Sequence, residues 1–136
     1  MRSVLRALVV LQVLMPLGAF AADATILIEL NSVEGGDNRC RLNFVVQNKS
    51  NTGVESMKLD LVAFGTDGGI LRRLLTEMGP VRATKTNVRA FVVDADCQQL
   101  GAILVNDVTA CAPGEPGACL DGLGLSSRIS ALRFYK

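Results

Sequence analysis

Residues 40 to 47, Cys40-Arg41-Leu42-Asn43-Phe44-Val45-Val46-Gln47, set Cys40, Leu42, Phe44 and Val46 against Arg41, Asn43, Val45 and Gln47. Successive side chains of an extended chain point to opposite faces, so one face of this stretch is apolar and the other mostly polar. That is the pattern of a half-buried strand, and Asn48-Lys49-Ser50-Asn51-Thr52-Gly53 stops it with turn-forming residues.

The same grammar extends in both directions. Thr25 to Leu30 reads as an earlier strand, ended by Asn31 to Asn38 with a Gly35-Gly36-Asp37 turn signal. Downstream, Ser56 to Phe64 alternates Met57, Leu59, Leu61 and Ala63 with Lys58, Asp60, Val62 and Phe64. Thr66-Asp67-Gly68-Gly69 is a hairpin cue, because Gly accepts positive φ without steric cost. Ile70 to Thr76 follows, closed by Met78-Gly79-Pro80, and then Thr86 to Asp94, where Val88, Ala90 and Val92 alternate with Arg89, Phe91 and Val93. Ala102 to Val108 and Arg128 to Tyr135 complete the set, with Ala112 to Gly124 expected as a long Pro/Gly-rich surface loop.

Seven strands spaced by roughly ten residues predict an all-β fold, an antiparallel immunoglobulin-like sandwich. An α/β fold would need crossover helices of about a dozen residues between strands. Only Leu71 to Met78 and Leu123 to Leu132 come near that description.

Residues 1–21 have the three parts of a secretory signal peptide. Arg2 and Arg6 give a positive start, an apolar run from Ala7 to Leu17 is broken only by Gln12 and Pro16, and Ala19-Phe20-Ala21 offers a small-residue cleavage site. The apolar run through Ala22 is 16 residues, short of the roughly 20 that span a bilayer. The expectation is a mature domain of residues 22–136, periplasmic or secreted, with no stable membrane insertion after cleavage. Loss of Arg2 and Arg6 leaves that chain close to −1 in net charge.

Four cysteines in an exported chain are read as two disulfides. Cys97 and Cys111 flank the sixth strand, and 14 extended steps of about 3.3 Å hold them far beyond the roughly 6 Å a bridge allows. If the second and fifth strands pair antiparallel, Cys40 meets Cys97. Cys111 and Cys119 then close the small Pro/Gly-rich loop between them. The long bridge is expected to contribute roughly 4 kcal/mol and the short one roughly 2 to 3.

The 136 residues contain no His and no Trp, which removes Ser-His-Asp and Cys-His chemistry and every His-containing zinc site. No Cys-x-x-Cys occurs either. Asp94, Asp96 and Asp107 are too few oxygen donors for a calcium loop, so no metal or cofactor is expected. Gly122-Leu123-Gly124-Leu125-Ser126 resembles a nucleophile elbow with Ser misplaced, and reads as a flexible approach to the last strand. Asn48-Lys49-Ser50 has the form of a glycosylation acceptor. Arg72, Arg73, Arg82, Lys85 and Arg89 form a candidate patch for an anion or an acidic partner. With near-zero charge and Phe44, Phe64 and Phe91 assigned to the core, nucleic acid is not an expected partner.

Several stretches carry a likeness. Cys40 to Asn48, Leu59-Asp60-Leu61-Val62-Ala63-Phe64, Gly68-Gly69-Ile70, Gly79-Pro80, Val88-Arg89-Ala90-Phe91 and Cys97 with Ile103-Leu104-Val105-Asn106 resemble small uncharacterised secreted bacterial proteins. The order of these features is similar to FxLYD-type immunoglobulin-like domains of cell-envelope proteins. The resemblance implies the fold and the compartment, and carries no catalytic residues.

The expected function is therefore non-catalytic: a binding or accessory module of the cell envelope, whose sheet edges offer backbone groups to a protein or other envelope component. The alternatives are a self-assembling structural subunit and a hydrolase built on carboxylates alone, Asp94 or Asp96 with Glu77.

Overall fold

The structure, a computed structural model, describes residues 24–136; the predicted leader lies outside the described residues. Among the described residues eight strands form: β1 (Ile26–Gly36), β2 (Arg39–Asn48), β3 (Ser56–Gly65), β4 (Ile70–Glu77), β5 (Thr86–Val93), β6 (Leu100–Ala112), β7 (Leu123–Ser127) and β8 (Arg133–Tyr135). They make two four-stranded sheets, ordered β5-β2-β1-β7 and β4-β3-β6-β8. A 3-10 turn at Cys97–Gln99 and one short helix, α1 (Pro116–Asp121), are the other elements.

The alternation seen in the sequence decides what fills the space between the sheets. Ile26, Ile28 and Leu30 of β1 and Leu42, Phe44 and Val46 of β2 are buried from one side. Met57, Leu59, Leu61 and Ala63 of β3, with Ile103, Val105 and Val108 of β6, are buried from the other. Phe44 joins the layers: its ring lies 5.3 Å from that of Phe134 on β8, in the opposite sheet, and 6.1 Å from Phe91 on β5 beside it. Both contacts are tilted, the geometry that ring quadrupoles favour.

Cys40 is bonded to Cys97 and Cys111 to Cys119. The first bridge follows from the antiparallel β2–β5 ladder, which sets Cys40 opposite Val93, just before the turn carrying Cys97.

Three expectations need correction. β1 does not stop at Leu30: after a register shift between Leu30 and Ser32 it continues to Gly36. Its polar residues there have cross-strand partners, since the Asn43 amide donates to Ser32 Oγ at 3.1 Å and to Glu34 Oε1 at 2.8 Å. The reversal moves to Asp37 and Asn38, which take positive φ of 41° and 58°. Second, the Ala112–Gly124 loop contains α1, entered through Pro116, whose missing N–H costs nothing in a first turn.

Third, Arg128 to Tyr135 is not one strand. The Ile129 N–H donates to Ser127 Oγ and the Leu132 N–H to the Ile129 carbonyl, so the chain turns between β7 and β8. β7 pairs parallel with β1 and β8 parallel with β6, and these two pairings depart from a wholly antiparallel arrangement. Because residues 128–132 join them, β7 and β8 lie together on one side of the two layers. β4 and β5 are the edges of the other side.

Candidate binding surface

Among the described residues β4 and β5 each have a partner on one side only: β3 for β4 and β2 for β5. Their free edges bound the side of the molecule that β7 and β8 do not occupy. Among the described residues the exposed large apolar side chains are Ile70, Leu75, Val88 and Val92. All four are on β4 or β5, with Leu75 74% and Val88 65% exposed. The strand period explains how they come to face out. In β5, Phe91 and Val93 point inward with Arg89, so Val88, Ala90 and Val92 occupy the outward face. Val88 lies opposite Val45 of β2, which extends the apolar strip by one strand.

The five basic residues singled out in the sequence do not form one patch. Arg73 grips Asp60 with two guanidinium nitrogens, Nε reaching Oδ1 at 2.7 Å. Arg89 donates to the carbonyls of Met78, Gly79 and Pro80, which ties the β4–β5 connection against β5. Arg72 sits five residues from the end of β4, roughly 17 Å along the strand from the connection that carries Arg82 and Lys85. Arg72, Arg82 and Lys85 are exposed and pair with no carboxylate among the described residues.

Asp60 is on the outward face of β3 yet is only 2% exposed. The Arg73 fork, opposed by burial and helped by the Asn106 amide at 2.7 Å, holds its carboxyl below the ordinary range. Burial works against ionisation of Glu77, but the Met57 N–H, the Ser56 hydroxyl and the Gly79 N–H outweigh it, and its carboxyl is also lowered. Both acids are structural clamps.

The carboxylates considered for a hydrolase are not brought together. Glu77 pairs across from Lys58, near the start of β3, whereas Asp96 precedes Gln99, whose carbonyl accepts from Thr66 just past the end of β3. The length of β3, roughly 30 Å, separates them. The depression of about 750 Å³ beside the Cys40–Cys97 bridge has Asp96 as its one carboxylate. No three His, Cys, Asp or Glu side chains among the described residues are grouped so as to hold a metal ion. In particular Asp107, opposite Asp60 on β6, is remote from Asp94 and Asp96.

In comparisons with protein-family models, curated proteins and solved structures, nothing matches the chain. What the surface can do is therefore read from its own residues.

Asn48 is not available as a glycosylation acceptor in this fold. It is 1% exposed, its amide donates to the Thr52 carbonyl at 2.8 Å and to that of Val81, and its oxygen accepts from Ser50. Ser126, in the stretch that resembles a nucleophile elbow, lies in β7 opposite Glu29. Phe64 is half-buried on the outward face of β3, not in the core with Phe44.

The apolar edge itself was not singled out in the sequence. Its signal is that Val88, Ala90 and Val92 make one face of β5 apolar while Phe91 and Val93 are also apolar on the other, where Asn87 and Arg89 are the polar residues. Such a strand is either buried on both faces or exposes one, and only tertiary placement decides which.

Proposed function

We propose that this chain is an exported immunoglobulin-like β-sandwich that works by binding, as a non-catalytic accessory module of the cell envelope, and that the open β4–β5 side receives the partner. One observation carries this reading: every exposed large apolar side chain among the described residues is on those two edge strands. Isolated surface apolar residues need no explanation, but their confinement to free edges is the opposite of the protection that charges and prolines usually give an edge. An edge of this kind is suited to strand addition, where main-chain hydrogen bonds supply affinity and alternate side chains supply selectivity.

The strand orders support the immunoglobulin-like part. β1-β2-β5 against β4-β3-β6 reproduces the A-B-E and C′-C-F neighbours of that fold, and the parallel β7 and β8 are this chain's departure from it. The leader-like residues 1–21 and the two disulfides favour an oxidising compartment. No helix among the described residues is long and apolar enough to cross a membrane. The FxLYD-type resemblance agrees with an envelope role.

The test is affinity capture from envelope extract with the wild-type chain, Val88→Lys and Leu75→Lys, each shown to melt like the wild type. A captured protein lost with Val88→Lys or Leu75→Lys supports the reading. Identical capture by all three chains overturns it.

A further inference from the structure

The β5 edge has a polarity that selects its partner. The Asn48 N–H donates to the Lys85 carbonyl at 2.9 Å, and Asn48 and Lys85 continue the register of the β2–β5 ladder. In an antiparallel ladder the hydrogen-bonded pairs alternate. Asn87, Arg89, Phe91 and Val93 therefore turn their backbone groups toward β2, and Thr86, Val88, Ala90 and Val92 turn theirs to the open side. No described backbone or side-chain group bonds the N–H or C=O of these four on that side.

The charges that flank this row are separated by sign. Arg82 and Lys85 precede β5, Asp94 and Asp96 follow it, and all four are exposed. Resting on the reading of β5 as a binding edge, we infer that its occupant is a second copy of this chain, added antiparallel through β5 across a two-fold axis. Antiparallel addition brings the basic start of each strand to the acidic end of the other. Parallel addition would set Lys85 beside Lys85 and Asp94 beside Asp94, and like charges facing each other across strands are destabilising.

The pleat admits only registers that set outward residues against outward ones, and of these the axis at Ala90 is the one that faces both Val88 and Val92 with valines. With the axis at Ala90, Val88 of each copy faces Val92 of the other and Thr86 faces Asp94 on the same outward face, while Lys85, one residue along, stands at the same end on the opposite face of the pleat. All the facing residues present their backbone groups to the edge, so Val88, Ala90 and Val92 exchange about six hydrogen bonds across the axis. A slip of one residue would put outward Val88 against inward Phe91 and is excluded by the alternation. In the chosen register the two β5 strands join their sheets into one of eight strands, and the Val88–Ala90–Val92 strips of the two copies merge on a single face. The interface is isologous, the form of most closed dimers.

Sedimentation equilibrium on the disulfide-bonded exported chain tests this, with circular dichroism melts confirming that each variant is folded. The wild type is expected to dimerise and Val88→Lys to abolish dimerisation. Thr86→Asp sets a carboxylate directly opposite Asp94 of the other copy and should weaken it at least about five-fold, since the like-charged pair occurs twice about the axis. The double variant Thr86→Asp/Asp94→Lys should return to within about two-fold of the wild type, because it sets opposite signs across the same two positions. A double variant as weak as Thr86→Asp overturns the inference. So does a wild type that stays monomeric at millimolar concentration. If that monomer still captures an envelope protein that Val88→Lys loses, the edge binds a different strand and the binding reading stands; if it captures none, both fall.

Discussion

Replacing Arg73 by Ala isolates the one ion pair among the described residues. Asp60 keeps its place on the outward face of β3, 2% exposed, and is left with the Asn106 amide as its only side-chain donor among the described residues. Breaking a fully buried pair costs about 3 to 5 kcal/mol, but the Arg73 side chain is 68% exposed, so water already screens its charge. The magnitude belongs to Asp60: its buried carboxylate loses two donors, and an under-satisfied buried polar group costs about 1 to 3 kcal/mol at pH 7, a drop of several degrees in the thermal midpoint. The pH dependence follows from the direction of the Asp60 shift. A carboxyl whose pKa is lowered in the folded state stabilises above its unfolded pKa, about 4, and loses that contribution as pH falls through the folded value. The gap between wild type and Arg73→Ala should therefore be full at pH 7 and shrink below about pH 4. The chain has no Trp and one Tyr, so urea unfolding is best followed by far-ultraviolet circular dichroism. A cost under about 0.5 kcal/mol at pH 7, the range of ordinary surface changes, would refute the reasoning. A gap as wide at pH 2.5 as at pH 7 would refute it equally.

Other substitutions probe the core and the bridges. Phe44→Ala removes the ring shared with Phe91 and Phe134 and should cost about 3 to 5 kcal/mol in the same urea assay. Removing the Cys40–Cys97 bridge as a Cys40→Ala/Cys97→Ala pair, which frees a 57-residue separation, should destabilise by about 4 kcal/mol. The corresponding pair at Cys111 and Cys119, separated by 8 residues, should cost less, about 2 to 3 kcal/mol. Gly101→Ala sets a Cβ 2.8 Å from the Gly65 carbonyl oxygen and 3.0 Å from Thr66 Cα, both backbone, and should cost about 1 to 3 kcal/mol by thermal melt. Gly36→Ala, with nothing within 4 Å, is the matched control and should change stability by less than about 1 kcal/mol.

The parts of the fold legible in the sequence are those where burial follows the strand period. Leu42, Phe44 and Val46 announce β2, and Met57, Leu59 and Leu61 announce β3, because each faces the other sheet without interruption. β1 beyond Leu30 was hidden because Asn31, Ser32 and Glu34 look like a loop until Asn43 is placed across from them. β7 was missed and β8 drawn too long because five- and three-residue strands are too short to show a period, and the turn at Ser127 rests on a side-chain bond. The disulfides were legible through the β2–β5 pairing, a topological inference. The open edge was not: whether Val88 is buried depends on how many strands lie beyond β5, and that is decided by where β7 and β8 dock, over thirty residues away in sequence. For the same reason Arg73 read as a free cation, since its partner Asp60 is 13 residues distant and on a neighbouring strand.

Residue-resolved amide exchange tests the central claim, that β5 presents an unpaired backbone row which a partner strand completes. In dilute protein the N–H groups of Val88, Ala90 and Val92 should exchange fast, while those of Arg89 and Phe91, directed at Phe44 and Leu42 of β2, exchange slowly. Adding the bound strand, whether a second copy at high concentration or a captured envelope protein, should slow the first group and leave the second unchanged. Slow exchange at Val88, Ala90 and Val92 in the dilute monomer, or fast exchange that no binding event alters, would contradict the account.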